Sequence, residues 1–127
     1  HGMPKRNLEL GDPYYCLCQK TTRLVAEKLG LSKAEYLTTF QSRFGYAEWL
    51  QPYTDKTLEE LAKSGTKNVA IVSPAFSADC LGTLGELAVE NREIFMQAGG
   101  TEYRYIPALN DRKDHIVALT DLIKKQL

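Results

Sequence analysis

Two carboxylates four residues apart, Glu86 and Glu90, follow the apolar run that ends in "SPAF". Leucines at Leu81, Leu84 and Leu87 predict a helix there, so the two glutamates share one helical face. Asp79 stands at the junction of strand and helix, where an N-capping role would be enough to explain it. Continuing the ladder back four positions from Glu86 reaches Gly82, and Gly85 lies in the same turn. Each glycine in a helix interior costs about 1 kcal/mol relative to alanine. A row of hard oxygen ligands suits a divalent cation; an ordinary solvated acidic stripe would look the same. The innermost member of the row has no side chain.

Other residues could also carry chemistry. His1, in "HGMP", can take a proton or bind a metal near neutral pH, although beside Gly and Pro it reads more simply as an exposed loop residue. His115 reads as helix surface. Cys16 and Cys18 are too closely spaced and too unsupported for a zinc or iron–sulfur site, which needs about four ligands. Trp49, Phe44, Tyr46 and Tyr53 crowd one segment beside Arg43. They are either local packing or an aromatic wall for a flat ligand whose carboxylates Arg43 would meet.

These residues must be positioned by a chain of 127 residues, the size of one domain. Sixteen basic and sixteen acidic side chains cancel without forming a block of either sign, which argues against nucleic acid and acidic membrane surfaces as partners. Three cysteines, an odd number without a framework of spacings, fit a reducing compartment, and a cytoplasmic location is expected. No apolar run approaches the 18 or so residues of a membrane span. A chain opening at His1 is expected to be a fragment.

The order of elements follows from periodicity. Residues His1 to Tyr15 read as irregular. Cys16 to Leu29 read as an amphipathic helix stopped by Gly30. "YLTTF" (Tyr36 to Phe40) is β-branched and aromatic and predicts a strand. "DKTLEELAKSG" predicts a helix with a capping box from Thr57 to Glu60 and a stop at Gly65. "NVAIVSPAF" predicts a strand buried on both faces. The glycine-bearing helix, the strand in "GGTEYRYIPAL" and a closing helix in "DHIVALTDLIKKQL" complete the chain. Such alternation argues for an α/β layer fold on a parallel sheet, with ligands beyond the carboxyl ends of the strands. Neither G-x-G-x-x-G nor G-x-x-x-x-G-K-[ST] occurs.

Five ordered motifs, "HGMP", "GDPYY", "TFQSRFGYAEWLQPYT", "SPAFSADCLGTL" and "YIPALN", make the whole chain resemble the C-terminal half of ferrochelatase, which inserts ferrous iron into protoporphyrin IX. The resemblance implies a chelatase-like three-layer α/β domain on a mostly parallel sheet, with its first strand missing upstream of His1. His1 matches the histidine assigned as metal ligand or proton acceptor. Trp49 and Phe76 match aromatics lining the macrocycle pocket, and Arg43 matches the basic residue of the "QS-basic" motif. Asp79 matches an acidic residue of the site, and Glu86 and Glu90 match the outer carboxylates of an acidic helix, often π-bulged in this family, that conducts metal ions or protons. With His1 these three carboxylates are the expected metal-binding set. Fe(II) enters as substrate, with no permanently bound cofactor and no iron–sulfur cluster expected. The implied partners are protoporphyrin IX, a divalent metal, and the N-terminal half of the enzyme or a second copy; the resemblance leaves room for peripheral membrane contact.

The departure is at Gly82. Where ferrochelatases read D-x-[LI]-E-[TV]-L, this chain reads Asp79-Cys80-Leu81-Gly82-Thr83-Leu84, so the expected active-site glutamate is replaced. Two readings follow: a ferrochelatase portion impaired at Gly82, or a non-catalytic half-domain that retains affinity for tetrapyrrole or metal. A generic flavodoxin-like small-ligand domain would account for the fold but not for the five motifs.

Overall fold

The computed structural model describes residues 1–127. Its elements run α1 (Lys5–Glu9), α2 (Tyr14–Leu29), α3 (Thr54–Lys63), β1 (Asn68–Val72), a π-helix (Gly82–Glu90), α4 (Asn91–Gln97), β2 (Glu102–Ile106) and α5 (Lys113–Lys124), with a short 3-10 turn at Lys33–Glu35. β1 and β2 pair in parallel, from Asn68 opposite Glu102 to Val72 opposite Ile106. A parallel pair needs a crossover, and the π-helix with α4 supplies it.

Helix ends follow local chemistry. The Asp12 carboxylate accepts from the Tyr14 N–H at 2.9 Å, and Pro13 already holds a helical φ, so α2 starts two residues before Cys16. It ends at Gly30, whose φ of 70° allows the Leu31 N–H to reach the Ala26 carbonyl. The first fifteen residues are not wholly irregular, because α1 follows Pro4. No capping box forms at Thr57 and Glu60. The helix has already begun at Thr54, and the box lies instead at Ser32 and Glu35, where the carboxylate takes the Ser32 N–H at 2.7 Å.

The core sits where α3 and α4 cover one face of the strands. Leu58 and Ala62 from α3, Phe95 from α4 and Tyr103 from β2 form it, flanked by Val69, Ile71 and Met96. Phe95 is fully buried, its ring 6.1 Å from that of Tyr103. The Tyr103 hydroxyl donates to the Leu87 carbonyl at 2.6 Å, tying β2 to the π-helix, and burial pushes this phenol's pKa upward.

Two strand expectations are corrected. Tyr36 to Phe40 forms no ladder; only Phe40 makes an isolated bridge, to Tyr53, since no neighbouring strand runs beside this segment. The "NVAIVSPAF" strand ends at Val72 and alternates exposed with half-buried residues, because a two-stranded sheet covered on one face cannot bury both sides of β1. The amphipathic helices at the two ends form as expected, yet their apolar faces lie open. Leu29 of α2 is 67% exposed, Ile123 of α5 is 59% exposed, and α5 buries no residue. No helix is long and apolar enough to cross a membrane.

The core's dependence on Phe95 is testable by urea denaturation. Phe95→Ala should lower stability by about 3–5 kcal/mol. A Cβ on Gly100 would lie 2.2 Å from the Phe95 ring, so Gly100→Ala should cost about 1–3 kcal/mol through overpacking. Unchanged urea midpoints in both variants would contradict this packing.

Candidate functional site

The N-terminal "HGMP" is laced to the segment after Phe40. The Gly2 N–H donates to the Gln41 carbonyl at 2.7 Å, the Leu50 N–H to the Met3 carbonyl and the Lys5 N–H to the Glu48 carbonyl, both at 2.9 Å. This approach needs glycine at position 2, where a Cβ would stand 3.0 Å from the Ser42 carbonyl oxygen and 3.3 Å from the Trp49 ring. Three expected residues come together beside this lacing. The His1 ring lies 6.3 Å from Trp49 and 6.4 Å from Phe76, tilted to both. Its Nδ1 is 2.7 Å from the Gly2 carbonyl. A carbonyl only accepts, so the neutral ring carries its proton on Nδ1 and leaves the Nε2 lone pair free.

Glu86 lies between the π-helix and this laced segment. Its carboxylate accepts from the Ser42 N–H at 2.8 Å, from the Ser42 hydroxyl in a short bond, and from the Gln41 amide at 3.3 Å. The Gln41 amide also donates to the Gly82 carbonyl at 2.9 Å. Gln41 is buried; with Ser42, Arg43, Phe44, Asp55 and Glu86 it lines a polar hollow of about 400 Å³. A Cβ at Gly82 would meet only the Gln41 amide nitrogen at 3.6 Å and the Cys80 sulfur at 3.8 Å, ordinary contact distances. At Gly85 it would meet Leu81 at 3.5 Å. Neither backbone position demands glycine.

Asp79 is not the N-cap that its place in the sequence suggests. No side-chain cap closes the π-helix; the Asp79 carboxylate instead accepts from the hydroxyls of Tyr105 at 2.5 Å and Thr83 at 3.0 Å, the Asn110 amide at 2.9 Å and the Ala108 N–H at 3.3 Å. The Asn110 side chain in turn accepts from the Asp79 N–H at 2.8 Å. These donors, the Tyr105 hydroxyl first and then Asn110, hold the Asp79 carboxyl down at a pKa of about 2.

The remaining expectations fare differently. Arg43 forms a two-pronged pair with Asp55, at 2.8 and 3.2 Å, and its guanidinium lies 4.0 Å above the Tyr53 ring. Its charge is engaged within the chain. Phe44 and Trp49 pack at 4.8 Å, whereas Tyr46 is fully exposed. Glu90 is exposed and makes no side-chain hydrogen bond. His1, Asp79, Glu86 and Glu90 do not gather into one coordination cluster: no three His, Cys, Asp or Glu side chains do so anywhere in the chain. The two carboxylates nearest the strand ends are directed at hydrogen-bond donors. Cys16, Cys18 and Cys80 are free thiols. Sequence reasoning gave no individual role to Gln41, Ser42, Thr83, Tyr105 or Asn110. All lie inside the quoted motifs or on the strand beside them, and the signal available was a run of polar residues at the carboxyl ends of predicted strands.

Comparison with known proteins supplies a further finding. The family model described as Ferrochelatase matches residues 1–127. "Ferrochelatase 2" of Shewanella oneidensis is 65% identical over the whole chain, which covers 39% of that protein's length. "Ferrochelatase" of Pseudoalteromonas atlantica is 61% identical, with 35% of its length covered, and that of Shewanella denitrificans is 59% identical, with 39% covered. The chain thus spans little more than a third of the curated relatives it matches.

The Asp79 network predicts a pH dependence. A folded-state pKa below the ordinary carboxylate value of 3.8 makes the ionised form stabilising. Its contribution is complete above the ordinary value and is lost as pH falls through about 2. Urea midpoints should therefore show Asp79→Asn weaker than the parent chain at about pH 6, with the gap closing as pH approaches about 2. A gap that does not change with pH would contradict the assignment.

Proposed function

The chain belongs to the ferrochelatase family, and from that premise we propose that it forms part of a protoporphyrin ferrochelatase, with Fe(II) and protoporphyrin IX as substrates. The observation that carries this reading is His1, held between Trp49 and Phe76 with one ring nitrogen free. Two aromatic side chains flanking a base suit a flat, apolar macrocycle with nitrogens at its centre. On this reading the 127 residues are one domain of the longer enzyme, and the open faces of α2 and α5 meet its remaining sequence or a second copy.

Insertion breaks two pyrrole N–H bonds, forms iron–nitrogen bonds and releases two protons, with no change in oxidation state. The free Nε2 of His1 accepts one proton. For the second, the family pattern supplies a glutamate where this chain has Gly82, which offers no acceptor. Glu86 is an unsuitable substitute, since its oxygens already accept from Ser42 and Gln41. Proton removal, and with it turnover, is therefore impaired in this chain. Gly82 also favours a second reading, a half-domain that binds tetrapyrrole or metal without turning it over.

Replacing the matched segment of the Shewanella oneidensis relative with this chain tests both readings. The graft should bind porphyrin, and Gly82→Glu should raise Fe(II) insertion by about 100-fold or more, the scale of general acid–base catalysis. The ordinary contact distances of a Cβ at Gly82 show that the backbone there accepts a side chain, and far-UV circular dichroism of the graft checks that Gly82→Glu leaves the fold intact. Equal turnover with glycine and glutamate would overturn the requirement for the carboxylate. Porphyrin binding with no turnover in either form would favour the binding reading, and absence of porphyrin binding would overturn both.

A further inference from the structure

Ser42 has a φ of 60°, one of two non-glycine residues in the chain with left-handed backbone; the other is Asn110, a residue type that tolerates it. Serine gains nothing locally from this conformation, so neighbouring contacts must hold it there. Those contacts come from Glu86 of the π-helix, which takes both the N–H and the hydroxyl of Ser42 and the amide of Gln41. The same two residues receive His1–Gly2: the Gly2 N–H binds the Gln41 carbonyl, and a Cβ on Gly2 would stand only 3.0 Å from the Ser42 carbonyl oxygen. On the other side of Ser42 the chain turns directly into Arg43, anchored on Asp55, and Phe44, packed on Trp49. One strained residue therefore lies where three segments of the site meet.

We propose that Ser42 is a positioning residue, held in left-handed conformation by the Glu86 carboxylate so that His1 and the Phe44–Trp49 pair are seated against the π-helix. Glu86 then acts through Ser42 rather than as a free ligand of the acidic ladder. The proposal concerns the site assigned above, and its consequence for porphyrin rests on that functional reading.

Trp49 is the chain's single tryptophan and is buried, so its fluorescence reports on the seat. Emission maximum and acrylamide quenching would be read for the parent chain, Glu86→Gln, Glu86→Ala, and Glu86→Ala combined with Ser42→Gly, each checked by far-UV circular dichroism. Glu86→Ala should raise the quenching constant about twofold and shift emission to the red, as expected for a local opening. Glu86→Gln, which keeps an acceptor for the Ser42 N–H, should change less. Ser42→Gly should restore most of the protection lost in Glu86→Ala, because glycine adopts the left-handed region unaided. Unchanged quenching in Glu86→Ala, or no recovery with Ser42→Gly, would overturn the proposal. Should Glu86→Ala lose its helical signal, Ser42→Ala and Ser42→Gly decide: both lack the hydroxyl, and only alanine should expose Trp49, so equal effects would overturn it. Protoporphyrin affinity measured on the same variants should fall in step with Trp49 protection. If the parent segment grafted into the Shewanella oneidensis relative binds no porphyrin, the functional reading fails while the fluorescence still decides the role of Ser42.

Discussion

The carboxylate of Glu86 is the tie on which the arrangement of the site depends. Accepting from a backbone N–H, a hydroxyl and an amide, it makes the charge-assisted kind of hydrogen bond that is stronger than a neutral one. Its donors belong to a segment without regular secondary structure, which is fixed to the crossover by these bonds and by the one from the Gln41 amide to the Gly82 carbonyl. Through Gln41 the tie extends to Gly2 and His1, and through Ser42 to the loop that carries Phe44 and Trp49. The π-helix contributes the geometry. π-turns are rare and concentrate at functional sites, and here the π-helix runs for nine residues and includes both Gly82 and Glu86.

Asp79 makes a second tie at the start of the same element. It fastens the turn before the π-helix to Tyr105 on β2 and to Asn110 in the loop beyond it, while Thr83, fully buried, bonds back to both Asp79 and Cys80. Two acidic residues that look like metal ligands in the sequence thus serve as hydrogen-bond acceptors inside the protein. That leaves Nε2 of His1 as the free base between the aromatics, with Glu90 as an exposed carboxylate further along the π-helix. On the proposed reading, His1 and its flanking aromatics supply one base and the walls for metal insertion, and the second acceptor is absent at Gly82, where neither space nor backbone conformation calls for glycine.

Much of the fold was legible because burial imposes periodicity. The apolar spacing of "DKTLEELAKSG" reported α3 and the alternation in "GGTEYRYIPAL" reported β2 in this way, whereas the periodicity of "DHIVALTDLIKKQL" reported α5, which buries no residue in this structure. Tyr36 to Phe40 misled for the converse reason: β-branched residues describe what a strand favours, but a ladder needs a neighbour, and only Phe40 finds one. The π-helix could not be read from spacing, because leucines at positions 81, 84 and 87 fit an α-helix equally well. The pairing of His1 with Trp49 and Phe76 came from the motif resemblance, as these residues are far apart in the chain. Gln41, Ser42 and Asn110 carry no periodic signal, and their roles emerge only from the donors and acceptors that the fold brings within reach.

The central claim is that the Glu86 carboxylate holds the Ser42 backbone in place, and amide hydrogen exchange at Ser42 tests it most directly. The 2.8 Å bond from this N–H to Glu86 predicts exchange as slow as that of the core amides of α3 and β2. Exchange at the rate of an open loop amide would contradict the account.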